Sequence, residues 1–353
     1  MKVILRMALV NVVFVVVGLC LYVAFAEINL YAKTEALLNI NYYFVAVAKI
    51  ITMIPNRKRI LEAFNEFHET HPGKCILENA YIYQMHEKKY KLIEKVVVKF
   101  FWSAMIFYCF QALTVSFIDL VMKGTFTFNL PWMMVWYGIE FPKENVPYYV
   151  FMYISQTWSI YVAASISLAM DLCIYSSIIQ LNMRLDIICK NIINIEPDET
   201  NKAFKELQKE ISAHQRFIRL AEKLNIVFTP SVLFSLLSSS LIICFTGFQL
   251  LGELSLFIVV KAIFLLAYEL KQVAITCFLG DKLIEISLKI SDAIYEHKWY
   301  NGTPKYRRLV LMVLMRSQHS VALHIAGISD ISLQTFRQVM SISYQIFTVL
   351  RTG

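Results

Sequence analysis

The chain has 353 residues, 58% of them hydrophobic and 17% charged, with a formal net charge of +8. With a mean hydropathy of +0.54, that balance excludes an ordinary soluble domain; repeated apolar runs of about 20 residues define a polytopic helical membrane protein. The positive charge requires no nucleic acid as partner, and what matters is where it lies.

Lys2 and Arg6 precede an uncharged run, Met7–Ala26. Ala24-Phe25-Ala26 would suit a signal-peptide cleavage site, but the run exceeds the usual apolar region of about 7–15 residues, so a retained first span is expected. A second span, Ala36–Ile54, is weakened by Asn39, Asn41 and Lys49. The charged stretch Pro55–Lys99 has helical spacing at Ile60, Phe64 and Phe67. The third span is Phe100–Met122, followed by an aromatic loop with Pro131-Trp132, Trp136-Tyr137 and Phe141-Pro142. Tryptophan and tyrosine of this kind favour the membrane interface.

The fourth span, Tyr148–Met170, continues past Asp171 to about Met183, and Arg184–Lys223 reads as a second charged helix. A fifth span, Ile226–Leu251, contains Pro230, which predicts a kink. The sixth is Leu254–Gly280, and a charged segment, Asp281–Lys305, leads to Tyr306–Ile325 and a break at Gly327–Asp330.

The last helix, Ile331–Leu350, carries a polar line: Gln334, Gln338, Ser341, Gln345 and Thr348, at offsets of 4, 3, 4 and 3. That is one face of an α-helix. A polar seam through a spanning helix needs partners or water. One reading is a helix–helix seam bonded across neighbours; the other is the wall of a water-filled pore.

Seven spans place the connecting segments alternately on two sides. One side holds Lys2 and Arg6, nine Lys or Arg between Arg57 and Lys99, eight between Arg184 and Lys223, and seven between Lys282 and Arg316. The other holds only Lys33, Lys123, Lys143 and Arg351. The positive-inside rule then predicts a cytoplasmic amino terminus and an extracellular carboxyl terminus. Cys20, Cys109, Cys173, Cys244 and Cys277 fall in spans and Cys75 and Cys189 in cytoplasmic segments, so no disulfide is expected. Cys75 and His71 are too isolated for a metal site, and the sequon Asn301-Gly302-Thr303 lies on the cytoplasmic side. Asp119, Asp171, Glu269, Lys271 and Arg337 read as intramembrane charges, each costing roughly 2.5–3.5 kcal/mol at mid-bilayer without compensation. No residue pattern resembles a catalytic constellation, and no cofactor is expected.

With its inverted seven-span topology, the chain resembles the insect odorant receptors. The likeness is carried by Arg316-Ser317-Gln318, the short polar link, Ser332-Leu333-Gln334-Thr335-Phe336 and Ser343-Tyr344 near the carboxyl end. Pro131-Trp132 and Trp136, then Tyr148-Tyr149, Gln156, Asp171 and His214-Gln215, fit the middle of the family pattern. The sister gustatory receptors end in Thr-Tyr and Gln-Phe motifs, which are replaced here by Ser343-Tyr344 without Gln-Phe. Family members carry a longer cytoplasmic lead before span 1, whereas here span 1 starts almost at Met1; the lead is lost or the sequence is incomplete.

The resemblance implies an all-helical, plasma-membrane receptor of olfactory neuron dendrites. It would be the odour-tuned subunit of a heteromeric cation channel, assembled with a shared co-receptor as a tetramer. The whole chain, 1–353, would form one seven-helix receptor domain, with subunit contacts at about 171–235 and 270–325 and the pore helix at 331–350. The resemblance places a small volatile ligand between spans 2, 3, 4 and 6, in the outer half of the membrane. That region offers Tyr42, Tyr43, Ala46, Gln111, Thr114, Tyr149, Met152, Tyr153, Gln156, Phe257, Phe264 and Tyr268. It also implies that Val349, one turn beyond Gln345, narrows the closed pore. Asp171, Glu269 and Lys271 are expected as structural contacts at the subunit interface. A G-protein-coupled receptor is disfavoured by topology and by Val121-Met122-Lys123 where Asp-Arg-Tyr would stand after span 3. A transporter would call for repeats or broken helices.

Overall fold

The computed structural model describes residues 2–25, 30–69, 79–132, 146–197, 201–252, 256–325, 327 and 329–352. Trp136, Tyr137, Phe141 and Pro142 of the aromatic loop, and His71 and Cys75, lie outside these residues. The chain is almost entirely helical: α1 (Lys2–Phe25), α2 (Leu30–Met53), α3 (Arg57–Glu69), α4 (Ala80–Lys123), α5 (Val146–Ile193), α6 (Asn201–Gln249), α7 (Leu256–Glu296), α8 (Pro304–Ser317) and α9 (Leu333–Thr352). A small antiparallel hairpin, β1 (His324–Ile325) and β2 (Ser329–Asp330), precedes α9.

Among the described residues α2, α4, α5, α6 and α7 are long and apolar enough to cross a membrane, and Val10–Ala24 in α1 is a shorter apolar helix. The charged segments expected between spans are not separate helices in α4 to α7. Each runs on unbroken from the apolar span, and α6, 49 residues long, passes through Pro230 as one helix. At 1.5 Å per residue α6 is roughly 73 Å long, more than twice a hydrocarbon core of about 30 Å. These helices therefore project well beyond the bilayer, and their polar halves pack on one another outside it.

Two apolar cores follow. Ile174, Ile178, Leu181, Leu185, Ile188 and Ile192 recur at helical spacing along α5 and are buried with Leu220, Leu224, Phe228, Leu283 and Ile290. This core extends to the end of the bundle that holds α8. The second joins Val15 and Leu19 of α1 to Tyr43, Phe101, Met105, Trp132, Met152 and Ile160 at the opposite end.

Thr303 caps α8 by accepting from the Tyr306 backbone N–H at 3.3 Å, with Pro304 at the first helical position. Tyr306 and the His297 ring meet at 2.5 Å in the corner before it. Burial lowers the His297 pKa and, with a smaller push from Glu206, raises the Tyr306 pKa to about 12; the corner is a neutral hydrogen-bonded pair.

The hairpin fixes where α9 begins. His324 donates its N–H to Asn225 Oδ1 at 2.8 Å, and Thr229 donates to the His324 carbonyl at 2.7 Å, tying β1 to α6. Gly327 turns the hairpin at φ +71°, a backbone region that favours glycine. On the other side Gly280 of α7 lets Ile331 approach so closely that a Cβ would stand 2.3 Å from the Ile331 carbonyl oxygen. Gly280→Ala should therefore destabilise the protein by about 1–3 kcal/mol through overpacking, outweighing a helix-propensity gain of about 1 kcal/mol. Thermal unfolding of the solubilised protein checks this: a lower midpoint is expected, and a higher one would show that α9 does not dock here.

Candidate functional site

An internal cavity of about 90 Å³ lies among α2, α4, α5, α6 and α7. Its walls are aromatic and aliphatic: Tyr42 and Tyr43 from α2, Phe101, Met105 and Phe107 from α4, Ile160 and Ala164 from α5, and Phe264 and Tyr268 from α7. Phe107 and Phe264 stack with ring centroids 4.7 Å apart, which sets the width between α4 and α7. One end is polar, formed by Glu35, Asn39, Tyr108, Gln249 and Lys261.

The anticipated ligand residues divide. Tyr42, Tyr43, Phe264 and Tyr268 line the cavity. Ala46 and Met152 are buried in the adjoining core. Tyr149 donates to the Asn129 carbonyl at 2.9 Å, Tyr153 to the Cys109 carbonyl, and Gln156 holds the Trp132 backbone at both its N–H and carbonyl, at 3.5 and 3.2 Å. Tyr149 and Gln156 thus fix the start of the aromatic loop against α5, and Tyr153 ties α5 to α4. Gln111 is not on the cavity wall, and Thr114 is exposed on α4, bonded back to the Gln111 carbonyl at 2.7 Å. The backbone of Phe257 is in α7, but its side chain lies outside the described residues. Spacing along α4 and α5 marks which residues share a face, but which face meets the cavity is set by packing between helices.

Next to the cavity, across Tyr42, Ile242 and Tyr268, lies a polar layer of Lys49, Ser235, Ser238, Ser239, Glu269 and Gln272. Lys49 Nζ is 2.7 Å from Asp171 Oδ1, with the two side chains 1% and 10% exposed. Ser239 donates to Glu269 Oε2 at 2.7 Å, and Lys271 sits 4.1 Å from the Tyr268 ring centroid. Asp171 and Glu269, expected at a subunit interface, are instead buried within the chain, because their compensating groups come from α2 and α6. Asp119, by contrast, lies at the end of α4, where it pairs with Lys123 at 2.7 Å and accepts from Thr127.

The polar line of α9 faces away from the bundle. Thr335, Val339 and Ser343 are its buried face, and Phe347 lies against Gly247 of α6. Gln334, Gln338, Ser341 and Gln345 are exposed, Thr348 is half-buried, and Val349 is 69% exposed. Gln334, Gln338, Ser341 and Gln345 are thus turned away from the chain's own helices. Asp281 of α7 accepts from the Leu333 N–H at 3.4 Å, closing the start of the helix.

Fold and cavity together define a multi-pass helical membrane protein with an apolar internal pocket beside a strongly two-faced terminal helix. Residues 33–344 match the family model described as 7tm Odorant receptor, and the chain belongs to that family. Odorant receptor 67c of Drosophila melanogaster is 27% identical over 318 residues, covering 89% of this chain and 78% of that relative. Odorant receptor 85b of the same organism is 27% identical over 343 residues, covering 94% and 85%. The olfactory receptor OR5 from Machilis hrabei in complex with eugenol shares the fold, with a TM-score of 0.85 at 14% identity, covering 100% of this chain and 90% of that one.

The buried pair at Lys49 yields a stability test. Lys49→Met leaves the Asp171 carboxylate uncompensated and should cost about 3–5 kcal/mol. Adding Asp171→Asn removes that charge and should recover most of the loss. Thermal midpoints of the single and double variants measure the coupling; equal losses in both would mean that the pair carries no linkage between α2 and α5.

Proposed function

We propose that this chain is the odour-tuned subunit of a heteromeric, ligand-gated cation channel. The observation that carries the reading is the uncovered polar face of α9, Gln334, Gln338, Ser341 and Gln345, on a helix docked to α6 and α7 by its other face. In a lone chain within lipid that face would be costly. Around a shared axis with other subunits it borders water, and Val349 near the carboxyl end supplies an apolar ring that blocks ions by dewetting.

The cavity is the ligand site in this reading. Small-molecule sites are concave and mostly apolar with a few placed polar groups, and the aromatic walls with one polar end match that description. OR5 from Machilis hrabei, of the same fold, is described in complex with eugenol, which supports a small organic ligand here. Ligand contact is proposed for Tyr42, Tyr43, Phe264 and Tyr268. The Lys and Arg asymmetry supports a cytoplasmic amino terminus and an extracellular carboxyl terminus. The partner is the shared co-receptor in a tetramer, and the site of action is the plasma membrane of the olfactory neuron dendrite.

Expression with the co-receptor tests the reading by recording current during an odour panel. A cation current that requires both chains is expected, with potency or ranking shifted by Tyr268→Ala and left alone by Thr114→Ala. An epitope after Gly353 should be labelled on intact cells and one inserted near Asn301 should not. Opposite labelling, with signalling through a G protein, would replace the channel by a G-protein-coupled receptor.

A further inference from the structure

The polar end of the cavity is built asymmetrically. Lys261 Nζ lies 2.5 Å from Glu35 Oε1, with the lysine side chain 11% exposed and the glutamate 46% exposed. The ammonium is therefore the inner member and the carboxylate faces the mouth. The ammonium also lies 5.1 Å from the Tyr108 ring centroid. Tyr108 donates its hydroxyl proton to Asn39 Oδ1 at 2.8 Å, and Asn39 Nδ2 donates to the Glu35 backbone carbonyl at 2.9 Å.

Counting donors and acceptors shows what is left for a ligand. The Tyr108 proton is used, and the Asn39 carbonyl already accepts. An ammonium has three N–H donors; one is directed at Glu35 and another at the Tyr108 hydroxyl oxygen. The surplus on Lys261 is one N–H donor. Gln249, also on the wall, carries donor and acceptor alike and so favours neither.

Charge balance narrows the ligand further. Glu35 and Lys261 neutralise each other, so a carboxylate ligand would bring a second anion beside Glu35 and an amine a second cation beside Lys261. A carboxylate would have to compete with Glu35 for the ammonium, and an amine that drew Glu35 away would leave Lys261, only 11% exposed, unpaired. A neutral acceptor such as a carbonyl oxygen takes a free N–H and leaves the pair intact. Of the remaining walls, Phe101, Met105, Ile160 and Phe264 reward only apolar surface, and Tyr42, Tyr43 and Tyr268 add rings that each end in a hydroxyl. At about 90 Å³ the cavity is smaller than the roughly 150 Å³ that holds a benzene ring, which favours a short molecule.

We infer that the receptor is tuned to small, neutral molecules with one hydrogen-bond acceptor, which Lys261 binds while Glu35 holds the ammonium in place. This rests on the cavity being the ligand site. Lys261 is then the residue that sets specificity.

Four probes of five heavy atoms test it: 2-butanone, its alkene isostere 2-methyl-1-butene, propanoate and sec-butylammonium. Each is titrated at neutral pH against the purified full-length chain, reading the concentration dependence of the thermal midpoint. The wild type should bind 2-butanone roughly tenfold tighter than the alkene, the worth of one hydrogen bond to a charged donor after hydration is lost. The two ions should bind more weakly than the ketone. Glu35→Gln with Lys261→Met removes both charges while keeping their shapes, and should bring ketone and alkene to equal affinity. Ala164→Phe and Ala104→Phe, which fill the cavity from different helices, should abolish binding of both.

A ketone preference that survives in the double variant overturns the role of Lys261 while leaving the cavity as the site. Undiminished binding in both filled variants removes the cavity itself. Tightest binding of either ion, or no binding of any probe to the wild type, overturns the inference.

Discussion

Charge inside an apolar bundle is the constraint on which this structure depends. Lys49, fully buried near the end of α2, is unaffordable in hydrocarbon unless another helix brings a carboxylate to it, and Asp171 of α5 does so at 2.7 Å. The pair weighs little in favour of folding over an apolar alternative, but it penalises every arrangement that parts its members. Ser239 with Glu269, and Glu35 with Lys261, join α6 and α2 to α7 in the same way. Together these contacts hold α2, α5, α6 and α7 around the space that becomes the cavity.

The cavity and the polar layer share Tyr42, Ile242 and Tyr268 as a common wall. A ligand that moves Tyr268 therefore presses on the ring over which Lys271 lies and on the neighbour of Glu269. From there α7 runs as one helix to Gly280, where Ile331 docks at the start of α9. A continuous helix between cavity and terminal helix supplies a stiff mechanical route. In the channel reading, the same docking points, Asn225, Thr229, Gly280 and Asp281, fix the direction in which α9 can swing.

Local pattern in the sequence carried much of this, and the reason is periodicity. The 4-3-4-3 spacing of Gln334 to Thr348 needs only helical geometry, and the structure leaves Gln334, Gln338, Ser341 and Gln345 exposed. The apolar runs likewise marked the spanning segments, although those of α4 to α7 are each part of a longer helix in which charged residues continue the same turns. The cavity was harder to read. Tyr153 and Gln156 have the composition of ligand contacts but bond to the Cys109 carbonyl and the Trp132 backbone. No local pattern marks Glu35 and Lys261 as cavity residues, because their partnership spans 226 positions. Only a helix-facing calculation from Tyr42 through Asn39 to Glu35 would have put that carboxylate on the cavity side of α2.

The central claim is that the exposed face of α9 borders a water-filled path. Single cysteines along α9, in the chain co-expressed with the co-receptor, test it through the rate at which a water-soluble thiol reagent alters ligand-evoked current. The account predicts reaction at Gln338, Ser341 and Gln345, faster with ligand present, and little at Val339 or Ser343, which face α6 and α7. Reaction rates that are flat along the helix, or lost assembly without any modification at Gln338, Ser341 or Gln345, would contradict it.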